Sequence, residues 1–360
     1  MSRRWYLYVV VILAIVLAGG DAVYWNWAAS RMRDGLDAWI ADRTAEGWHI
    51  EIGARSISGW PDAVTGRLTD VRMDYTPPSG APSGQPGGGN PGGGQPGFLP
   101  VPLRFAAAEV RLDLALYRPT TLTVALGGEQ RLAVADAPPV LLAEDALEAH
   151  LPLTGPPGHD VTVTGRGLRV EPATRAWVAH VAQVDGRASL AEPSGIDFLC
   201  AASGIDLPPR FKYPLGPKIS DIAVNGTLNG PFPAGRTLAD AAGAWRDGGG
   251  SLEVRHAAVD WGPLWLRSSA TLALDDQLQP MGSGSAKVSG YDETLDHLAA
   301  AGVLSRSAAT VAKAMLSLLA GTGTGGAPAE VEVPLTLQYR TLSMRQVPLV
   351  RLPELDWSQP

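Results

Sequence analysis

The chain has 360 residues, 45% of them hydrophobic and 18% charged, with a formal net charge of −7. That length and apolar content suffice for one large or two ordinary buried cores. The acidic balance excludes the basic footprint of a nucleic-acid binder and disfavours tight electrostatic binding to anionic headgroups.

In chain order the first element is the most hydrophobic. Trp5 to Gly20 holds no charged side chain, and Arg3, Arg4 and Asp21 bound it. As a helix it rises about 25 Å at about 1.5 Å per residue, near the thickness of a hydrocarbon core. Aromatic residues flank both ends (Trp5, Tyr6 and Tyr8, then Tyr24, Trp25 and Trp27), as in a membrane-spanning helix. The positive charge precedes the run, so the remainder is expected to be exported. A cleaved signal peptide ending near Val16-Leu17-Ala18 is the competing reading. A retained anchor over 5–29 is favoured because helical spacing continues through Trp27, Met32, Leu36, Trp39, Ile40 and Arg43. That continuation predicts an amphipathic stalk over 30–46, stopped near Gly47.

The rest, 47–360, predicts a β-rich body. Trp48, Ile50 and Ile52 alternate, Ser58-Gly59-Trp60-Pro61 turns, and Val64 to Met73 reads as a strand. Residues 77–97 are a Gly/Pro-rich insert without a large apolar residue, expected to be disordered. Val110 to Leu116 and Leu122 to Leu126 alternate strictly. Gly127-Gly128 and Gly165-Arg166-Gly167 read as turns between short strands. Cys200, the only cysteine, lies in the apolar run Phe198–Ala202 and reads as a small buried residue. Ile222 to Leu228 predicts a strand and Leu238–Ala244 a short helix. Leu264 and Leu266, then Leu272 and Leu274, read as two strands, with Asp275-Asp276 turning the chain. Asp292–Ala301 and Ser305–Leu319 predict a helical hairpin lying on the sheet, with Ser305 or Ser307 as N-cap and Val311, Met315, Leu318 and Leu319 inward. Val331 to Tyr339 is the longest alternating run, and Leu342 and Met344 return.

Chemistry is sparse. The histidines (49, 150, 159, 180, 256 and 297) have no ligand spacing, and no nucleophile elbow or phosphate loop occurs. No catalytic, cofactor-binding or metal site is expected, and no cofactor.

Several motifs together resemble a known family: Trp39…Gly47, Ser58-Gly59-Trp60-Pro61, Ala244-Trp245-Arg246-Asp247-Gly248-Gly249, Val259-Asp260-Trp261-Gly262-Pro263-Leu264, Leu272-Ala273-Leu274-Asp275 and Gln279-Pro280-Met281-Gly282. They are similar to the bacterial domain-of-unknown-function family number 2125, over roughly residues 25 to 357, with Trp60 where the family has phenylalanine. The resemblance transfers no activity and no functional residue. Its anchor-plus-strands layout is similar to that of the AsmA-like envelope proteins, which are associated with outer-membrane biogenesis and lipid movement; that likeness is one of fold alone.

The expectation is therefore an α+β, mainly β protein: a cytoplasmic tip at 1–4, a transmembrane anchor and stalk, then a large curved antiparallel sheet with a helical hairpin packed on it. It is expected to sit in the bacterial inner membrane as a single-pass protein with its body in the periplasm, or to be secreted there after signal cleavage. The expected function is non-catalytic envelope maintenance, binding or passing lipid. The alternatives are a module that binds another envelope protein and a cryptic hydrolase.

Overall fold

A computed structural model describes residues 3–76, 102–135, 137–154, 160–191, 195–230, 238–320, 330–344 and 347–357. The side chains of residues 3–19, 191, 319 and 320 lie outside that description, as does the insert expected at 77–97.

A single helix, α1 (Arg3–Ala45), opens the chain. No proline interrupts it, and Gly47 at φ 96° ends it. The strands follow as β1 (Trp48–Glu51), β2 (Ala54–Ser58), β3 (Ala63–Tyr75), β4 (Leu103–Ala115), β5 (Thr121–Val134), β6 (Val140–Ala143), β7 (Ala146–Pro152), β8 (Val161–Pro172), β9 (Ala179–Ala191), β10 (Gly195–Asp206) and β11 (Lys218–Asn229). Then come α2 (Leu238–Asp247), β12 (Ser251–Trp261), β13 (Leu264–Leu274), β14 (Pro280–Ser289), α3 (Tyr291–Ala300), α4 (Arg306–Ala320), β15 (Val331–Gln338), β16 (Thr341–Met344) and β17 (Val347–Arg351).

Nearly every strand pairs antiparallel with its sequence neighbour, so the chain forms one serial meander. Two rungs are split. β1 and β2 share one edge of β3, and β6 and β7 share the space between β5 and β8.

The glycines read as turns lie inside long strands instead. Gly127-Gly128 is within β5 and Gly165-Arg166-Gly167 within β8, so Leu122 to Val134 is one strand. Asp70, Gly128, Gly167 and Gly204 all have φ between 51° and 79°. They fall at equivalent positions across the sheet: Gly128 lies against Ala108 and Gly204 against Ala182, where an added Cβ would approach at 3.1 and 2.7 Å. This line is a crease at which the alternation of the strands is interrupted; partners keep register across it from β3 to β4 and from β8 to β10, and shift by one at β4–β5 and β11–β12. Alternation therefore shifts phase, from Leu68 to Val71 on β3 and from Ala107 to Val110 on β4, and these four side chains still form one cluster. A glycine hairpin turn and a G1-type bulge both use positive φ, and local sequence does not distinguish them. Leu264 to Leu274 is likewise one strand, β13, without a break.

The helices cover the two ends of one sheet face. Trp25, Ala28, Ala29, Met32 and Leu36 of α1 pack on β3 and β4. The inward face expected for the stalk is thus rotated, leaving Trp27 at 54% and Trp39 at 43% exposure. The hairpin of α3 and α4 packs on β13–β16 through Tyr291, Leu295, Ala309, Ala312 and Leu316. Ser305 caps α4, its Oγ accepting from the Ala308 N–H at 3.1 Å. Val311 and Leu318 point outward, Leu318 at 83% exposure, because the small alanines at 309 and 312 allow the closer approach to the sheet. Among the described residues no helix is long and apolar enough to cross a membrane; the apolar run of 5–19 falls among the side chains not described.

Candidate functional site

Strand register assembles side chains that are far apart in sequence. One row of directly opposed residues runs Leu68, Val110, Leu126, Leu147, Gly165, Val184, Ala202, Ile222, Val259, Leu266, Val288 and Val331, from β3 to β15. The next row on that face runs Gly66, Leu112, Val124, Ala149, Val163, Gly186, Cys200, Val224, Ala257, Ser268, Ala286 and Val333. A third continues from Val161 through Ala188, Phe198, Gly226, Val254, Ala270, Gly284 and Leu335 to Met344. None of the three holds a charged residue.

The opposite face is the polar one. Its matching row reads Arg67, Arg111, Ala125, Glu148, Thr164, Asp185, Ala201, Ala223, Ala258, Arg267, Lys287 and Glu332. Ion pairs lie along it, including Arg67–Glu109 at 3.0 Å and the bidentate Arg267–Asp260 pair at 2.6 and 3.1 Å. Asp197 accepts from Thr227 and Arg255, and these bonds hold its carboxyl below the ordinary aspartate value.

The apolar face is covered only in part. Val64, Leu68 and Val110 are buried beneath α1, and Ala286, Val331, Val333 and Met344 beneath the hairpin. On β7–β11 below the crease, no apolar-face side chain is buried. The helices pack elsewhere: α1 on β1 and β3, α2 and α3 on β13, α4 on β15. At about 4.8 Å per strand the open section is about 20 Å wide. Cys200 lies in it and is exposed, contrary to the burial expected from its apolar neighbours in sequence. A cavity of about 260 Å³ lies between α1 and strands β2–β4. Met32, Leu36, Ile57, Gly66, Leu68 and Leu112 line it, with Arg33, Asp37 and Arg55 at the rim. Arg55 and Asp37 bridge β2 to α1 at 2.7 Å.

One polar side chain is buried on the apolar face. Gln130, opposite Ala107, is fully buried where β6 gives way to β7. Its Nε2 donates to the Gly128 carbonyl and to Glu144, both at 2.8 Å. Gln130 Oε1 and the second Glu144 oxygen have no partner. Burial raises the Glu144 carboxyl above its ordinary value, opposed by the Gln130 bond and by Arg169. A raised folded-state value means stability that is fully present below the ordinary glutamate range and lost as pH rises through the raised one. Glu144→Gln is therefore expected to increase Tm at pH 7.5, with the increase vanishing near pH 4. Thermal unfolding of both proteins at the two pH values checks this.

Side chains for covalent chemistry meet once among the clusters on the polar face. Thr123 Oγ1 lies 3.1 Å from His150 Nδ1, and Glu148 is 4.0 Å from His150 Nε2. Thr123, His150 and Glu148 stand on adjacent strands whose backbone amides are engaged in the ladder, so the hydroxyl has no neighbouring free amide pair for an oxyanion. His159 lies outside the described residues. Among the described residues no group of His, Cys, Asp or Glu could hold a metal ion.

The residues behind the family resemblance serve architecture. The Trp245 indole donates to the Asn229 carbonyl at 2.9 Å, and Arg246 reaches the carbonyls of Asp275 and Asp276 at 3.3 and 3.2 Å. The Trp261 indole donates to Gly216 at 2.8 Å. Buried Gln279 pairs twice with the backbone of Leu355, at 3.0 and 2.9 Å, fastening the C-terminal segment. These side chains pin loops at the margins of the sheet and leave its apolar face free.

Fold and face together define a class: a serial antiparallel sheet with one charge-free face, capped by helices at both ends and open between them. The chain belongs to the family described as an uncharacterised protein conserved in bacteria (DUF2125), whose model matches residues 25–353. No curated protein and no solved structure matches it.

Proposed function

We propose that this is a non-catalytic, membrane-anchored protein of the bacterial envelope that holds or passes lipid chains along the open face of its sheet. The observation that carries the reading is the uncovered, uncharged section of β7–β11 between two covered ends. Apolar surface left open in water is unfavourable, and large exposed apolar patches mark interaction sites. A face without directional polar groups suits a flexible hydrocarbon chain better than a defined polar substrate. The anchor expected over 5–29, with Trp25, Ala28 and Ala29 at its end held by the sheet instead, would keep such a face beside its lipid source: α1 extends from Trp25 back to Arg3, about 33 Å at about 1.5 Å per residue. The same assignment places the body in the periplasm. The bulges at the crease and along β11–β12 support a curved sheet.

Native mass spectrometry of the full chain released from nanodiscs tests this. The expected result is bound phospholipid at about one or more per chain; protein free of lipid would refute it.

A second reading, docking of another envelope protein, is favoured by the outward Val311 and Leu318 of α4. Its test is loss of a captured partner on Leu318→Lys, with lipid content unchanged.

A further inference from the structure

The geometry points to the end of the sheet that carries the β2–β3 and β4–β5 turns as a second membrane contact, seated in the bilayer interface beside the anchor. This rests on the anchored reading above. α1 lies along β3 in the same direction. The Trp25 indole donates to the Ala63 carbonyl at 2.8 Å, Met32 meets Gly66, and Gly47 accepts from the Thr76 N–H at 3.4 Å. Residues before Trp25 therefore extend beyond the Ala63 end of the sheet.

That end is where exposed aromatic side chains gather. Trp60 in the β2–β3 turn is 55% exposed and Tyr117 in the β4–β5 turn 78%. The two turns are tied by the Leu116 N–H donating to the Asp62 carbonyl at 3.1 Å. On α1, Tyr24 and Trp27 stack at 5.8 Å on the side away from the sheet, with Arg31 5.7 Å from the Trp27 ring. Arg118 is exposed next to Tyr117, and Asp62 is the one acidic residue of the two turns. Exposed Trp and Tyr with adjoining arginines are unfavourable in bulk water and favoured at the headgroup level, where an apolar ring and a polar edge are both satisfied. Four such rings on three separate segments make a collar, and it excludes Trp25, which the sheet already holds. Seated this way, the bilayer lies at the end of the sheet where Leu151 and Val161 begin the uncovered section of the apolar face.

The test uses the full chain in phospholipid nanodiscs, with Cys200→Ala as background. Nitroxide labels are placed one at a time by Tyr24→Cys, Trp60→Cys, Tyr117→Cys and Phe211→Cys. Phe211, in the β10–β11 loop at the opposite end, is 47% exposed. Oxygen and a water-soluble nickel chelate report depth by electron paramagnetic resonance. Labels at 24, 60 and 117 are expected to favour oxygen by several-fold over the label at 211. Membrane depth at 24 with water-like values at 60 and 117 would overturn the second contact and leave the anchor standing. Water-like values at 24 as well would remove the anchor and this proposal together.

Discussion

Cys200→Asp is expected to leave the protein folded, and Val333→Asp to unfold it. Both residues lie in the same row of the same sheet face. Cys200 is exposed, whereas Val333 is 3% exposed beneath the α3–α4 hairpin. An aspartate at 200 keeps its water, so its cost is that of an ordinary surface substitution, within about 1 kcal/mol. At 333 the aspartate would be driven to take up a proton, and the neutral acid would still lose hydration with no partner, at roughly 2–7 kcal/mol, and the valine's transfer energy of about 1.5–3 kcal/mol would be lost too. Near-UV circular dichroism during urea unfolding separates the two. Equal, large losses would mean that something covers β10. Cys200→Asp should also reduce bound lipid several-fold while the fold persists.

The second large effect is expected at Gly290, which joins β14 to α3. Its φ is 68°, and a Cβ there would overlap the backbone oxygen of Pro263. Its carbonyl accepts from both the N–H and the Oγ1 of Thr294, at 3.1 and 2.7 Å, so it also starts the helix. Gly290→Val would combine an unfavourable backbone conformation, about 1–3 kcal/mol, with a clash against main chain that has no rotamer to yield. The hairpin would lift from Ala286, Val331 and Met344, exposing the covered section of the same face. A loss of at least about 3 kcal/mol is expected, together with increased binding of an apolar dye. Unchanged stability would show that the hairpin adds little to the fold.

Local signals were readable wherever they were self-contained. Strict alternation at Val331 to Leu337 located β15, Ser305 located the start of α4, and Ser58-Gly59-Trp60-Pro61 located a turn. What failed depended on neighbours in space. Gly128, Gly167 and Gly204 look like turns because only glycine's freedom is visible in sequence, whereas their alignment across the sheet makes a crease. Cys200 sits in an apolar run and is exposed because none of the described helices packs on β10. On α4 Met315 packs inward as its spacing implies, whereas Val311 and Leu318 do not, because the alanines at 309 and 312 allow the closer packing. The one-sided apolar character of single strands was legible. The continuous charge-free rows were not, since they exist only once register is known.

Photo-crosslinking from the open face is the most direct measurement of the central claim. Benzoylphenylalanine replaces Phe198 on the apolar face or Arg187 on the polar face, in full-length protein irradiated in native membranes. Phe198 and Arg187 stand on the neighbouring strands β10 and β9, on opposite faces. A phospholipid adduct at 198 and none at 187 is the expected result. No lipid at 198, or equal lipid at both positions, would contradict it.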